Sequence, residues 1–296
     1  MDVDGHMVSL LALALFGVGV GFVAGLFGVG GGFLLTPLLT VVLGFPLPVA
    51  IGCGLCQMVG TATVSLLRHR RLKQGELRFD LLMLVPSALG AVAGARTVQV
   101  LALHGDVELL GRRLPLVVVV LYTAYIVFLV GSALGLGKRA KDGVEVLGYV
   151  RRGPLARVRL PPYVDLPAVP LSRVSAPVVA YVGLGLGYLS GLLGVGGGVA
   201  LMPALLYGFG FPIRQAAGTG LLVLLVTSAT ATYAHARQGH VHLGAAMVLA
   251  IGASVSAQLG ALATARLPAR WLRSGLFLLI AVTVLAILYD LLRQFG

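Results

Sequence analysis

Long apolar runs separated by short polar stretches divide this chain. The apolar segments cover about 8–44, 47–67, 79–103, 115–136, 176–209, 213–234, 243–265 and 272–292. A helix needs about 20 residues to cross a hydrocarbon core, so most of these segments read as one crossing each. The first and fifth are too long for one simple crossing, and each contains a run of glycines. The long polar connection, 138–175, holds five prolines (Pro154, Pro161, Pro162, Pro167 and Pro170) and alternating segments such as ARVRL. That pattern predicts an extended linker with a small hairpin.

The pattern repeats. Shifting the chain by 166 residues lays GLFGVGGGFLLTP, from Gly25, on GLLGVGGGVALMP, from Gly191, and Pro37 on Pro203. It also lays the GFP at 44–46 on that at 210–212, Ala50 on Ala216, Gly52 on Gly218, Gly54 on Gly220, Thr61 on Thr227 and His69 on His235. Beyond His69, matching QGELRFDLLML to QGHVHLGAAMV predicts a shorter loop in the second copy. The chain therefore reads as an N-terminal transmembrane repeat (1–137), a cytoplasmic linker (138–175) and a C-terminal transmembrane repeat (176–296). Secondary transporters are commonly built from such repeats, with the site between them.

Composition turns this pattern into a class. Of the 296 residues, 58% are hydrophobic and 11% charged, against about 25% charged in a soluble domain, and the mean hydropathy is +0.99. The expected fold is an all-α polytopic membrane protein of about eight transmembrane helices in two four-helix repeats, each with a glycine-broken first helix. The net charge of +12 does not point to nucleic acid. The basic residues lie in loops between apolar runs: Arg68, Arg70, Arg71, Lys73 and Arg78, then Lys138 to Arg173, then Arg266, Arg270 and Arg273. That placement suits cytoplasmic loops and interfacial anchors, and base readout needs a folded presenting module. MDVDGHM carries Asp2 and Asp4 and no Lys or Arg, so it does not read as a signal-peptide n-region.

The glycine runs carry the candidate chemistry. A packing face needs small residues only every fourth position, which the spacings Gly17/Gly21/Gly25 and Gly183/Gly187/Gly191 supply. Adjacent glycines at Gly30, Gly31, Gly32 and at Gly196, Gly197, Gly198 predict something else: a helix ending at 26–28 and a new one starting near Phe33. Pro37 is expected in its first turn, where a missing N–H costs little. The new N-terminus offers unpaired N–H groups, no side chains and a positive dipole end, a ready anion site. Broken backbone at membrane depth is tolerated where it is buried or lines a cavity, and two copies would converge on one anion.

At these residues the chain resembles the sulfite exporter TauE/SafE family, also called TSUP. The resemblance rests on GVGGGxxxxP in both halves, the following GFP, AIGCGL and AAGTGL, and the HRRLKQGEL and HARQGHV loops. It covers both halves and excludes the linker. It implies transport of sulfite, sulfonates or related small anions across the inner membrane. Where the family commonly has GTSL, this chain has GCGL at 52–55 and GTGL at 218–221, which leaves Thr219 as the hydroxyl at that place.

Other side chains are candidate liners. Arg96 lies inside the third apolar span, where an arginine marks a function unless it snorkels toward the span's end, roughly 10 Å away. Gln57 and Gln258 could donate amide hydrogens to an oxyanion or bond across helices. Cys53 and Cys56 form a CxxC without the βαβ context of a redox motif and read as small packing residues. His69 and His235 stand at helix ends, where interfacial structure is the simpler role. Glu76, Asp80, Glu108 and Asp290 sit near span ends, and the spans show neither paired carboxylates nor metal-ligand spacing nor a nucleophile–base pair, which argues against an enzyme.

The reading is thus a multi-pass inner-membrane secondary transporter of a small sulfur-containing anion, with no cofactor. Substrate contacts fall to Gly30–Gly32, Gly196–Gly198, Thr219, Arg96, Gln57 and Gln258. A passive anion channel and a carrier of small carboxylates are the alternatives. The expected partners are the anion, the lipid bilayer and no nucleic acid, with a coupling proton or other ion and a homo-oligomer left open. Counting one net crossing per long span puts both basic loops and both termini on the cytoplasmic side and relates the halves in parallel. Re-entrant glycine segments would invert them instead.

Overall fold

The computed structural model of the protein describes all residues except 1, 4–5, 8, 28–30, 72–74, 110–111, 141–152, 168–172, 197, 212, 265–274, 276–277 and 290–296. The first half runs through α1 (Leu10–Phe27), α2 (Gly32–Leu43), α3 (Leu47–Arg71), α4 (Leu77–Leu103) and α5 (Leu116–Ala140). The linker contributes the one-turn α6 (Pro154–Arg157). The second half holds α7 (Ala176–Leu193), α8 (Gly198–Pro203) with a π-helical turn over Ala204–Phe209, α9 (Ile213–Gly218), α10 (Leu221–Arg237) and α11 (Leu243–Thr264). A last apolar helix, α12, covers Leu278–Tyr289. Among the described residues, α3, α4, α7 and α11 contain stretches long and apolar enough to cross a bilayer, and α1, α2, α5 and α12 contain shorter apolar ones. This is the build of a polytopic membrane protein.

The 166-residue shift extends to element boundaries. Leu10 and Ala176, Gly32 and Gly198, Leu47 and Ile213, and Leu77 and Leu243 all begin helices. The loop before α4 is therefore matched by one of equal length before α11, and the shorter second loop does not exist. The misleading signal was the QG pair: Gly75 and Gly239 both take positive φ, 103° and 76°, but at different places in their connectors.

Helix packing crosses between the halves. Gly17, Gly21 and Gly25 of α1 lie against Leu249, Ala253 and Ala257 of α11. Gly183, Gly187 and Gly191 of α7 lie in the same way against Met83, Ser87 and Ala91 of α4. A Cβ at most of these glycines would strike partner backbone, so the small-residue stripes bring backbones together. The first helix of each half thus packs on the other half, α1 on α11 and α7 on α4.

These contacts also fix direction. Residue numbers rise together in both pairs, so α1 runs parallel to α11, and α7 to α4. On α3, Gly52 meets the His240 carbonyl and Gly60 meets Ser254, so α3 also runs with α11. The beginning of α10 touches Gly75 and Glu76, just beyond the end of α3. Its far end leads to His240, beside the beginning of α3. Hence α10 runs opposite to its counterpart α3, and α4 opposite to α11. The parallel arrangement is overturned, and the start of α1 lies at the end away from the α3–α4 loop. The miscount arises because α1 and α2 form a there-and-back pair: Gly32 opens α2 beside Met58, midway along α3, and α2 then leads back to the beginning of α3.

Besides the antiparallel pair Asp2–Val3/His6–Met7 before α1, two hairpins complete the fold among the described residues. In the linker, Tyr163–Val164 pairs antiparallel with Val174–Ser175, the small hairpin that the alternation predicts. Arg78 donates to the Asp165 carbonyl at 3.3 Å, which places this hairpin at the α3–α4 loop's end of the molecule. Asp106–Leu109 and Arg112–Pro115 form a second hairpin between α4 and α5 that the apolar pattern does not reveal.

Candidate functional site

Both first helices break where the glycine runs fall. In the first half α1 ends at Phe27 and α2 starts at Gly32, capped by Gly31 at φ 78°. In the second, α7 ends at Leu193, Gly194 and Gly196 take φ of 68° and 70°, and α8 starts at Gly198. The left-handed region is costly for residues with a Cβ, which is why glycine occupies these turns. Gly30 and Gly197 lie outside the described residues. Pro37 is the sixth residue of α2 and not in its first turn. Its missing N–H therefore frees the Phe33 carbonyl within the helix. At the equivalent Pro203, α-helix gives way to the π-helical turn, a feature frequent at functional sites.

The two breaks meet. A Cβ added at Gly32 would strike the Met58 sulfur and the Gly194 carbonyl oxygen of the other break. One added at Gly196 would strike the Met58 sulfur and methyl and then press on Leu224. Met58 of α3 and Leu224 of α10, themselves 166 residues apart, are both buried and belong to one apolar cluster. Beside them, Ser87, Leu186, Gly187, Gly196, Leu201, Val223, Leu224 and Thr227 enclose about 10 Å³ of free space, room for about one water. None of these eight residues is charged. At Gly32 and Gly194 the backbone of one break is pressed on the other.

Polar groups next to this junction lack partners. Gln57, adjacent to Met58, is 0% exposed, and neither its amide nitrogen nor its oxygen makes a hydrogen bond. The hydroxyls of Thr227 and of Ser190, on α7 just before the second break, are likewise buried without a partner. Burying a polar group unpaired costs about 1–3 kcal/mol, so three such groups around one junction mark a place built for something other than packing.

The remaining sequence candidates lie elsewhere. Thr219 sits at the turn between α9 and α10, where its hydroxyl oxygen accepts the Glu76 N–H at 2.9 Å. Arg96 and Gln258 are exposed on the outer faces of α4 and α11. For Arg96 that is the placement of a snorkelling side chain. Cys53 is buried, with its sulfur 3.8 Å from the His242 carbonyl, and Cys56 is half-buried; neither is in a disulfide. His235 is buried and bonds the Gly191 carbonyl through Nε2 at 2.9 Å, while its Nδ1 lies 3.4 Å from that of His240. It ties α10 to the end of α7. Met58, Leu224, Thr227 and Ser190 were missed as site residues. The repeat already pairs Thr61 with Thr227, so the signal was there for one of them.

The model of the sulfite exporter TauE/SafE family matches residues 13–287. The chain belongs to this family. A probable membrane transporter protein of Bacillus subtilis strain 168, YunE, is 25% identical over 261 residues, covering 86% of this chain and 88% of its own length. A probable membrane transporter protein from Sinorhizobium sp., ORF9, is 38% identical over 99 residues, covering 33% of this chain and 37% of its own. YdhB of Bacillus subtilis strain 168, also called a probable membrane transporter protein, is 31% identical over 109 residues, or 36% of this chain and 44% of its own. No solved structure matches. The protein is a multi-pass membrane transporter of the TauE/SafE family.

Proposed function

We propose that this protein is a secondary transporter carrying a small sulfur-containing anion (sulfite, an organosulfonate or a related oxyanion) across the inner membrane. The observation that carries the reading is the meeting of the two glycine breaks at Met58, with the unpartnered Gln57 beside it. Peptide N–H groups at the start of α2, the Gln57 amide and the Thr227 hydroxyl offer neutral donors to an oxyanion. Each half supplies a there-and-back pair and crossing helices, and rocking one half against the other around this junction would expose it to either side. The end of α3, the linker's hairpin and the end of α11 lie at one end, and the sequence places its basic clusters next to these elements, which makes that side cytoplasmic.

Flux into proteoliposomes tests this. Sulfite, thiosulfate and 2-hydroxyethanesulfonate are expected to show saturable uptake with exchange across the membrane, and acetate and lactate little. Gly196→Leu, which puts a side chain into the junction, is expected to stop uptake while the protein stays in the membrane. Flux that never saturates favours a channel; preference for the carboxylates, or normal uptake by Gly196→Leu, overturns the reading.

A further inference from the structure

Away from the glycine junction, three hydrogen bonds lock the α3–α4 connector of the first half to the α9–α10 turn of the second. The Gly75 N–H donates to Gln215 Oε1 at 2.8 Å, and the Glu76 N–H to Thr219 Oγ1 at 2.9 Å. The third runs the other way: the Gly220 N–H donates to Asp80 Oδ1 at 2.6 Å. Asp80 is 3% exposed, and Phe79 beside it stacks edge-on against Phe209 and Phe211. A carboxylate so enclosed is costly to hold, and Asp80 is so enclosed although it stands in the first turn of α4, near the span's end.

The bonded turn connects to the glycine junction. Gly220 caps α10 at φ 88°, and a Cβ there would strike Leu201. Leu201 in turn encloses the small cavity together with Gly196 and Thr227. The chain of contact runs from Asp80 through Gly220 and Leu201 to the second break.

Resting on the transporter reading above, we infer that transport is coupled to a proton taken up at Asp80, whose ionisation state latches or frees the α9–α10 turn. Ionised, it makes a charge-assisted bond to the Gly220 N–H, roughly twice as strong as a neutral one. Taking a proton from water forms an O–H bond on the carboxyl, removes the charge and weakens the latch. Returning the proton to water on the other side restores it. The charges acting on Asp80 are Arg70, at the end of α3, and Glu76, whose carboxylate accepts the Arg78 N–H at 3.3 Å. In the linker, Asp165 and Arg173 pair with each other at 3.4 Å. Among the described side chains, the face of α7 on α4 and the first turn of α10 bring no titratable group to it. The Glu76 backbone N–H bonds Thr219, whereas Asp80 meets the turn through its carboxylate, which accepts the Gly220 N–H.

Two measurements test this, and the first needs no cargo. Infrared difference spectra of the purified protein across a pH step are expected to show a buried-carboxyl band that Asp80→Asn lacks and Glu76→Gln keeps. A spectrum unchanged by Asp80→Asn overturns the proposal whatever the cargo proves to be. The second uses proteoliposomes holding a pH dye, with 2-hydroxyethanesulfonate, which stays ionised and brings no proton of its own. Asp80→Asn is expected to lose roughly tenfold or more of the accumulation driven by a pH gradient, while exchange of labelled for unlabelled probe continues. Gradient-driven accumulation by Asp80→Asn at the original level, or probe uptake by the original protein without an internal pH change, contradicts it. Absence of any probe uptake would instead count against the cargo reading, and the infrared result then decides for Asp80 alone.

Discussion

α3 and its counterpart α9–α10 descend from one pattern yet differ in form. The first is a continuous helix of 25 residues; the second is cut between Gly218 and Leu221. Glycine alone does not explain the cut, because Gly54 is helical where Gly220 has φ 88°. The difference lies in what faces them. Asp80 of the first half holds the Gly220 N–H, while its counterpart in the second half, Ala246, has nothing to offer α3. The first half likewise carries Gln57 where the second has Val223. Under the 166-residue shift the helix boundaries match, while Asp80 and Gln57 of the first half have Ala246 and Val223 as counterparts.

The frame itself is expected to be equally fragile in both halves. Gly21→Leu on α1 and Gly187→Leu on α7 each drive a side chain into a partner backbone, Ala253 or Ser87. Each is expected to destabilise by about 3 kcal/mol or more, read as lost thermal stability in detergent. A large loss in one half and none in the other would mean that the seams are not equivalent.

The next pair separates the two central helices. Gly220→Ala is expected to cost about 2 kcal/mol, from the left-handed backbone and the clash with Leu201. Gly54→Ala places its Cβ 3.3 Å from the Thr36 hydroxyl in a helix interior, where alanine's better propensity offsets the tight fit, leaving a change within about 1 kcal/mol. Equal costs in unfolding experiments would remove the distinction.

The smallest effect concerns the asymmetric polar group. Gln57→Val makes the first half resemble the second. Stability is expected to hold or rise, because an unpaired buried amide is removed, while affinity for the transported anion falls about tenfold, or 1.4 kcal/mol. Unchanged affinity in binding titrations would assign Gln57 to packing.

Much of this was readable beforehand. Apolar run lengths located the helices, and the doubled glycines located both breaks, because few other reasons exist for three adjacent glycines in an apolar run. Direction was not readable. It depends on whether the broken segment crosses or returns, and run length does not distinguish the two. Side chains around the junction were harder still. Gln57 could be picked out as polar, but Met58 and Leu224 look like any core residue until both breaks are seen to meet on them. Arg96 drew attention as a charge within a span, and α4 turns it outward.

The opposed direction of the halves underlies the whole account, and one experiment addresses it directly. Arg71 and Arg237 are repeat counterparts, each the last residue of its helix and each exposed. With Cys53 and Cys56 replaced by alanine, single cysteines at Arg71 and at Arg237 can be tested with a membrane-impermeant thiol reagent on intact cells and on inverted vesicles. Labelling is expected from opposite sides, Arg71→Cys from the cytoplasm and Arg237→Cys from outside. Labelling of both from the same side would contradict it.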